Sequence, residues 1–227
     1  MPPLKLVHFS DILCVWAYIG QTPLFRIAER FRDQLDIEVH YCSVFPDTQA
    51  KISTLWHDKG EFEGYARHVK DVASGFEDVR IHNDTWSKTR PFSSASPQLF
   101  IKAVELLEKD VDAVTFQSRL SVKAAKILRS AFFMDALDIS DWSVQKQVSE
   151  QIGVKFADVC KKMETGEAMA KLASDYELGQ KTGVKGSPTY ILNSGRQIMF
   201  GNISYGILEA NIAELLREQN ELNASLC

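Results

Sequence analysis

The chain has 227 residues, of which 45% are hydrophobic and 25% are charged. These values are typical of a globular protein with a substantial core. The formal net charge of -4 argues against a nucleic-acid binder, because such proteins carry a basic excess or a basic patch. No apolar run approaches the roughly 20 residues that span a bilayer. We therefore expect neither a nucleic-acid partner nor a membrane partner.

The N-terminal sequence MPPLKLVHFSD lacks the basic start, apolar stretch and cleavage site of a signal peptide. We therefore expect a cytoplasmic location. The cysteines Cys14, Cys42, Cys160 and Cys227 lie far apart, which fits neither a disulfide framework nor a structural zinc site. The expectation is reduced thiols, no bound metal, and cysteine chemistry at one position at most.

Two short strands are predicted near the start of the chain, in LKLVHFSD and LDIEVHYCSVF, with a helix between them in AYIGQTPLFRIAERFRDQL. Parallel pairing is the expected geometry, which places the loop after the first strand at the carboxyl edge of the sheet. Asp11 in that loop is interpreted as a cap of the turn, with a role as proton acceptor as the alternative. His8 and His40 are interpreted as hydrogen-bonded structural residues.

The segment from about residue 50 to about residue 180 has helical periodicity. Ser96 is the predicted N-cap of one of its helices, and Cys160 lies on an apolar stripe that predicts burial. GVKGSPTYILN and QIMFG then predict strands joined by the turn NSGRQ, and SYGILEANIAELLREQ predicts a helix capped by Ser204. The order predicts an α/β fold with a mixed sheet from residues 1–50 and 180–227 and an all-α insertion at 51–179.

DILCVWAYIG places Cys14 at the start of the first helix. Free N–H groups and the helix dipole favour thiolate over thiol there, although a buried, inert cysteine is the alternative. Downstream, GVKGSPT has Pro188 opening a strand. A cis Ser187–Pro188 bond would expose the Ser187 backbone to an extended thiol substrate, whereas a proline at the start of an edge strand is the simpler interpretation.

Together, SDILCVWAYIG and GVKGSPTYILN resemble the active-site helix start and cis-proline loop of DsbA-like thioredoxin-fold proteins, particularly the cytoplasmic FrnE-type branch. RSAFFMDALDISD resembles the helical-insertion signature of that family. The resemblance implies a thioredoxin-like fold with a large all-α insertion, and a thiol-disulfide oxidoreductase with Cys14 as nucleophile. It also implies that Ser187 and Pro188 face Cys14. Trp16 is interpreted as an apolar wall for substrate.

Ala17 departs from that family because it stands where the resolving cysteine is expected, and alanine cannot expel substrate from a mixed disulfide. Three explanations stay open: a native monothiol enzyme resolved by glutathione, an engineered trap, or resolution by another cysteine. Cys42 is the candidate for the third, provided that its Cα lies within about 7 Å of that of Cys14. The alternative for Cys42 is a core position in a central strand, and Cys227 is expected to be exposed.

More distantly, the chain resembles kappa-class glutathione transferases and 2-hydroxychromene-2-carboxylate isomerases, which bind glutathione across the cis-proline loop. Glutathione would then pair with the Ser187 backbone. Asn202, Ile203 and Ser204 would hold a carboxylate at a helix start, although plain capping also explains Ser204.

The predicted function is disulfide exchange by Cys14, acting on a small thiol or disulfide or on a peptide thiol, with glutathione as resolving co-substrate. Two alternatives stay open. One is a glutathione-dependent transferase or isomerase, in which Cys14 would stabilise a glutathione thiolate. The other is a non-catalytic peptide-binding module. A homodimer is left open as the assembly.

Overall fold

The computed structural model describes residues 3–108 and 115–224, which form a small sheet and a set of packed helices. Cys227 lies outside the described residues. The elements in chain order are β1 (Leu4–Ser10), α1 (Val15–Ile19), α2 (Gln21–Arg30), β2 (Leu35–Tyr41), α3 (Thr48–Leu55), α4 (Glu61–Ser74), α5 (Ala95–Leu107), α6 (Leu120–Phe133), α7 (Trp142–Gln151), α8 (Phe156–Glu164), α9 (Glu167–Lys181), β3 (Thr189–Leu192), β4 (Gln197–Phe200) and α10 (Tyr205–Ala224).

The four strands form one mixed sheet in the order β2-β1-β3-β4. β1 and β2 are parallel, with Leu4 opposite Leu35 and Ser10 opposite Tyr41. β3 is antiparallel to both β1 and β4. The prediction of a mixed sheet built from both ends of the chain is therefore confirmed. The carboxyl ends of β1 and β2 meet at one edge, which is where Cys14 follows.

Two helices from opposite ends of the chain share one hydrophobic core on the sheet. Ile27 of α2 and Leu208 and Ile212 of α10 are fully buried against Leu6 of β1 and Tyr190 of β3. Complete burial of an aliphatic side chain of this size contributes about 1.5–3 kcal/mol. This core fixes α2, and with it the preceding α1, relative to the strands.

The helices α3 to α9 all lie between β2 and β3 in the chain, and the predicted insertion begins within α3 and ends within α9. Asp175 of α9 ties this block to the sheet. Its carboxylate lies 2.7 Å from Nδ1 of His40, accepts a 2.9 Å hydrogen bond from the Tyr41 N–H, and lies 2.7 Å from Nζ of Lys102. The division into two domains stays a prediction.

Two element boundaries differ from the sequence-based expectations. The helix expected to be capped by Ser96 begins at Ala95, after Ser94, because the Ser94 carbonyl already accepts the first helical hydrogen bond, from the Gln98 N–H at 3.1 Å. The Ser94 hydroxyl donates to Asp11 at 2.8 Å and provides no side-chain cap. The second strand ends at Tyr41 rather than near Phe45. Its continuation is prevented because the N–H groups of Val44 and Phe45 donate to Asp11.

Within the described ranges, no helix combines the length and apolarity required of a membrane span.

Candidate functional site

Cys14 is the residue immediately before α1 and serves as its N-cap, so the prediction that it lies at a helix start is confirmed. β1 ends at Ser10, and Asp11 shapes the turn that follows. The Asp11 Oδ1 atom accepts from the Leu13 N–H at 2.9 Å, and the Asp11 carbonyl accepts from the Cys14 N–H at 3.2 Å. The thiol is consequently held at the carboxyl edge of the sheet.

Asp11 is fully buried, and each of its carboxylate oxygens is hydrogen-bonded. Oδ2 accepts from the N–H groups of Val44 and Phe45 and from the Ser94 hydroxyl at 2.8–3.0 Å. Burial raises the pKa of Asp11, although these hydrogen bonds oppose the rise. The interpretation of Asp11 as a turn cap is confirmed, and the same carboxylate also joins three segments around Cys14.

The loop before β3 lies directly against Cys14. The Cys14 thiol donates to the Ser187 carbonyl oxygen at 3.2 Å, and the Asp11 N–H donates to the Ser187 hydroxyl at 2.8 Å. The Ser187–Pro188 peptide bond is cis. The structure thus brings together the two sequence segments on which the resemblance was based.

The environment of the Cys14 sulfur favours its protonated form. Burial raises the pKa of Cys14, while the Ser187 side chain and the N–H groups of Ala17 and Trp16 oppose the rise and the charge of Asp11 adds to it. Only 7% of the residue is exposed. In this structure desolvation outweighs the helix N–H groups, so Cys14 has the buried environment of the alternative interpretation.

Cys42 follows the last residue of β2, and its N–H donates to the Ser10 carbonyl at 3.1 Å. β2 is an edge strand and Cys42 is partly exposed, so the interpretation of Cys42 as a core residue in a central strand is wrong. Both Cys14 and Cys42 are free thiols. Burial raises the pKa of Cys42 far above that of an ordinary thiol, which disfavours it as an attacking group.

The other cysteine and aromatic predictions have mixed outcomes. Cys160 of α8 is partly exposed, so the expectation of a core position is wrong, because the apolar stripe of α8 buries Val159 instead. Ala17 is buried at 3% exposure. Trp16 is half-buried and packs edge-on against Phe76, with ring centroids 6.4 Å apart. Its role as a wall for substrate stays a prediction.

An open groove of about 390 Å³ begins beside the Ser187 loop. Its lining includes Cys42, Lys51, Tyr176, Gln180, Lys185 and Gly186. The Lys51 ammonium donates to the Val44 carbonyl and lies 4.7 Å from the centre of the Phe45 ring. Two cationic side chains therefore line a groove whose described lining contains no carboxylate.

The Asn202–Ser204 segment lies between β4 and α10, next to the Pro188 end of the site. The Gly201 N–H donates to the Pro188 carbonyl at 2.9 Å. Asn202 and Ser204 are exposed and Ile203 is half-buried. The Ser204 carbonyl accepts from the Leu208 N–H at 3.2 Å, so Ser204 stands at the start of α10 as predicted.

The two strand histidines have structural environments. His40 is hydrogen-bonded to Asp175, as expected. His8 stacks on Tyr190 with ring centroids 4.8 Å apart, and burial lowers its pKa to about 3. Its Nδ1 atom has no hydrogen-bond partner.

Among residues 3–108 and 115–224, no group of His, Cys, Asp and Glu side chains is arranged to hold a metal ion.

Sequence reasoning did not identify Lys51, Lys185 or Arg129 as residues of interest. Arg129 had a detectable signal, because it lies on the helical stripe of Val122, Ala125 and Phe132 and interrupts that buried face with a cation. Lys51 and Lys185 had none, since exposed lysines are common on any surface.

A family model described as the DSBA-like thioredoxin domain matches residues 112–213. None of the curated protein sequences matches the chain. The structural similarities cover nearly the whole chain and show that it has the DsbA-like thioredoxin fold with helices inserted between strands.

Three solved structures illustrate that similarity. The cytosolic disulfide reductase DsbM from Pseudomonas aeruginosa, solved with GSH, has a TM-score of 0.64 at 19% identity, covering 96% of this chain and 100% of DsbM. A 2-hydroxychromene-2-carboxylate isomerase has a TM-score of 0.63 at 15% identity, with 96% and 99% coverage. The thiol-disulfide exchange protein α-DsbA2 from Wolbachia pipientis has a TM-score of 0.59 at 12% identity, with 93% and 81% coverage.

Proposed function

Since this chain contains a DSBA-like thioredoxin domain and has that fold, we propose that it is a thiol-disulfide oxidoreductase acting through Cys14 alone. The observation that carries the proposal is the 3.2 Å contact between the Cys14 thiol and the Ser187 carbonyl oxygen. In this contact one sulfur at a helix start lies against the loop that contains the cis Ser187–Pro188 bond. Ala17 supplies no second thiol at the adjacent position.

The proposed reaction has two exchange steps. The Cys14 thiolate attacks one sulfur of a substrate disulfide, forms a mixed disulfide, and releases the other sulfur as a thiolate. A glutathione thiolate then attacks the substrate sulfur of the mixed disulfide and releases the Cys14 thiolate. The net result is release of the other substrate sulfur as a thiolate and formation of a disulfide between glutathione and the sulfur that Cys14 attacked, so electrons balance without a second protein cysteine.

Glutathione is the proposed resolving thiol because the groove beside Ser187 fits its charge. Lys51 and Lys185 line this groove and would pair with its two carboxylates, while the Ser187 backbone would pair with its peptide groups. The Asn202–Ser204 segment at the start of α10 offers an alternative anchor for one of these carboxylates. The presence of GSH in the DsbM structure supports this assignment.

The partners proposed for the chain are small disulfides, glutathione and peptide thiols, and the proposed location is the cytoplasm. Structural similarity to a cytosolic disulfide reductase supports the location. Within this fold, the cytoplasmic FrnE-type branch is the proposed affiliation, and a homodimer stays a prediction.

One observation favours a second candidate function. Burial raises the pKa of Cys14, so the sulfur retains its proton and can donate a hydrogen bond. A glutathione thiolate in the groove would accept that bond, as in a glutathione-dependent isomerase or transferase. Structural similarity to 2-hydroxychromene-2-carboxylate isomerase is compatible with this alternative.

Adduct mapping after exposure of the reduced protein to oxidised glutathione tests the proposal. We expect one glutathione on Cys14, detected by intact and peptide mass spectrometry, and none in the Cys14→Ser variant. Cys42→Ser is the matched control and should retain the adduct. No reaction at Cys14, combined with noncovalent binding of reduced glutathione, would favour the isomerase or transferase instead.

A further inference from the structure

A separate cavity lies behind α1, between the sheet, α2, α5 and α6. Its volume is about 70 Å³, and Ala17 lines it while Cys14 does not. Since a single water needs roughly 10–15 Å³ on this kind of measure, the cavity has room for a ligand of several heavy atoms. Its apolar lining includes Leu24, Phe25, Val39, Ile101, Phe116 and Val122.

Arg129 of α6 also lines this cavity and is 6% exposed. Its guanidinium donates to the Gln21 Oε1 atom at 3.2 Å and to the Ser10 hydroxyl at 2.9 Å. Both acceptors are neutral, and the buried Nε–H of Arg129 has no hydrogen-bond partner. The ion pairs found among the described residues do not include Arg129.

An unpaired buried cation is energetically costly, and buried charges in proteins are normally paired and hydrogen-bonded. Here the protein supplies two neutral acceptors, and none of the described carboxylates forms an ion pair with this cavity-lining guanidinium. The missing component is an anion that accepts from the guanidinium. The lack of a charged partner is an observation independent of the cavity itself.

The charges of the remaining lining residues limit which anion fits. Glu105 and Glu108 also line the cavity. Glu105 is paired with Lys102 and Lys171 at 2.8 and 2.9 Å, and Glu108 accepts from the N–H and hydroxyl of Ser121. Arg119, the other guanidinium of the lining, lies 3.7 Å from the Asp36 carboxylate and is paired with it. The negative charge of Glu105 and Glu108 opposes a dianion such as phosphate, whereas one negative charge matches the unpaired guanidinium of Arg129.

We propose that this cavity binds a compact monocarboxylate with an apolar body, its carboxylate accepting from the guanidinium of Arg129 and its hydrocarbon part packing on Leu24, Val122 and their apolar neighbours. The ligand class follows from the unpaired guanidinium, the monoanionic charge balance and the apolar lining. This site lies apart from the Lys51 groove, and the proposal does not depend on disulfide exchange at Cys14.

Titration of the isotope-labelled protein with butyrate, followed by NMR, tests this proposal, with butyramide as the neutral probe of the same shape. We expect saturable shifts of the Arg129 guanidinium N–H signals and of amides lining the cavity with butyrate, and none with butyramide. Inorganic phosphate should bind more weakly than butyrate. Equal shifts with butyramide, no shifts with butyrate, or tighter binding of phosphate would each overturn the proposal.

Two variants and a control locate the binding. Arg129→Met keeps the apolar stem and should weaken butyrate binding at least about tenfold, because a charge-assisted hydrogen bond is lost. Ala125→Leu retains Arg129 but fills the cavity and should also abolish binding. Arg67→Met, at an exposed arginine outside the cavity, should bind as the unaltered protein does. Undiminished binding in folded Ala125→Leu or Arg129→Met protein would contradict the assignment.

Discussion

The Cys14 sulfur lies 3.2 Å from the carbonyl oxygen of Ser187, although 173 positions separate the two residues in the chain. The neighbouring bond from the Asp11 N–H to the Ser187 hydroxyl, at 2.8 Å, holds the same two segments together. The site therefore exists only when β1 and β3 have paired. Its reactivity should depend on how far an incoming substrate changes the hydrogen bonding of the Cys14 thiol.

The rate of alkylation at Cys14 should keep rising with pH beyond the ordinary thiol pKa of 9.0, because burial raises the Cys14 pKa and only the thiolate attacks. Iodoacetamide labelling between pH 6 and pH 10, quantified at the Cys14 peptide by mass spectrometry, measures this. The partly exposed Cys160 provides an internal comparison. A plateau below pH 8 at Cys14 would show a stabilised thiolate and contradict the assignment.

Ala17→Cys should create an internal disulfide with Cys14 on mild oxidation. The Ala17 N–H lies close enough to the Cys14 sulfur to lower its pKa, and residues three apart on a helix share a face. Thiol titration should show two thiols lost upon oxidation. Ala17→Ser is the matched control and should lose none by this route; persistence of both thiols in Ala17→Cys would contradict the geometry.

Lys51→Met and Lys185→Met should each weaken binding of reduced glutathione several-fold, since each removes a cation from the groove beside Ser187. Isothermal titration calorimetry measures the affinity. Lys171→Met removes a lysine outside this groove and should leave glutathione binding unchanged. Unaltered affinity for glutathione in both groove variants would show that glutathione binds elsewhere. The Ser204→Ala variant would then test binding at the Asn202–Ser204 segment before α10.

Asp175→Asn should destabilise the fold, by less than the roughly 3–5 kcal/mol of a fully broken buried pair, because the buried Lys102 ammonium loses its 2.7 Å contact with Asp175 but keeps Glu105 at 2.8 Å. The double variant Asp175→Asn with Lys102→Met should lose less than the sum of the two single losses. Urea unfolding followed by circular dichroism gives the free energies. Additive losses would show that the two charges do not interact.

The pH dependence of stability provides a second check on Asp175. Burial alone would raise the Asp175 pKa, but the His40 hydrogen bond and the Lys102 charge hold it below the ordinary value of 3.8. The carboxylate's contribution is therefore present above that value and is lost as pH falls towards the folded-state pKa. Asp175→Asn should lack this component of acid destabilisation.

The sequence predicted the parallel β1–β2 pair, the antiparallel β3–β4 pair and the position of Cys14, because strand and helix periodicities are local properties. It did not predict that the Ser94 side chain provides no cap for α5 and that its hydroxyl donates to Asp11. That contact joins residues 83 positions apart, and no local pattern indicates it. The same holds for Asp175, whose partners lie on β2 and α5.

Burial produced the largest errors in the candidate site. A helix start predicts a low thiol pKa for Cys14, but burial reverses the direction although the hydrogen bond with Ser187 opposes the rise. Cys160 was expected in the core from its spacing with Phe156, yet the packing of α8 leaves it partly exposed. Solvent exclusion depends on elements distant in the chain, so single-sequence periodicity does not determine it.

Disulfide turnover by a variant that keeps only Cys14 tests the single-thiol account most directly. Cys42, Cys160 and Cys227 are replaced by serine, and reduction of a small mixed disulfide is followed with glutathione as the electron donor. The account predicts turnover close to that of the unaltered protein, lost when Cys14→Ser is added and absent without glutathione. Loss of turnover in the Cys14-only variant, restored by returning Cys42, would contradict it and establish a dithiol cycle.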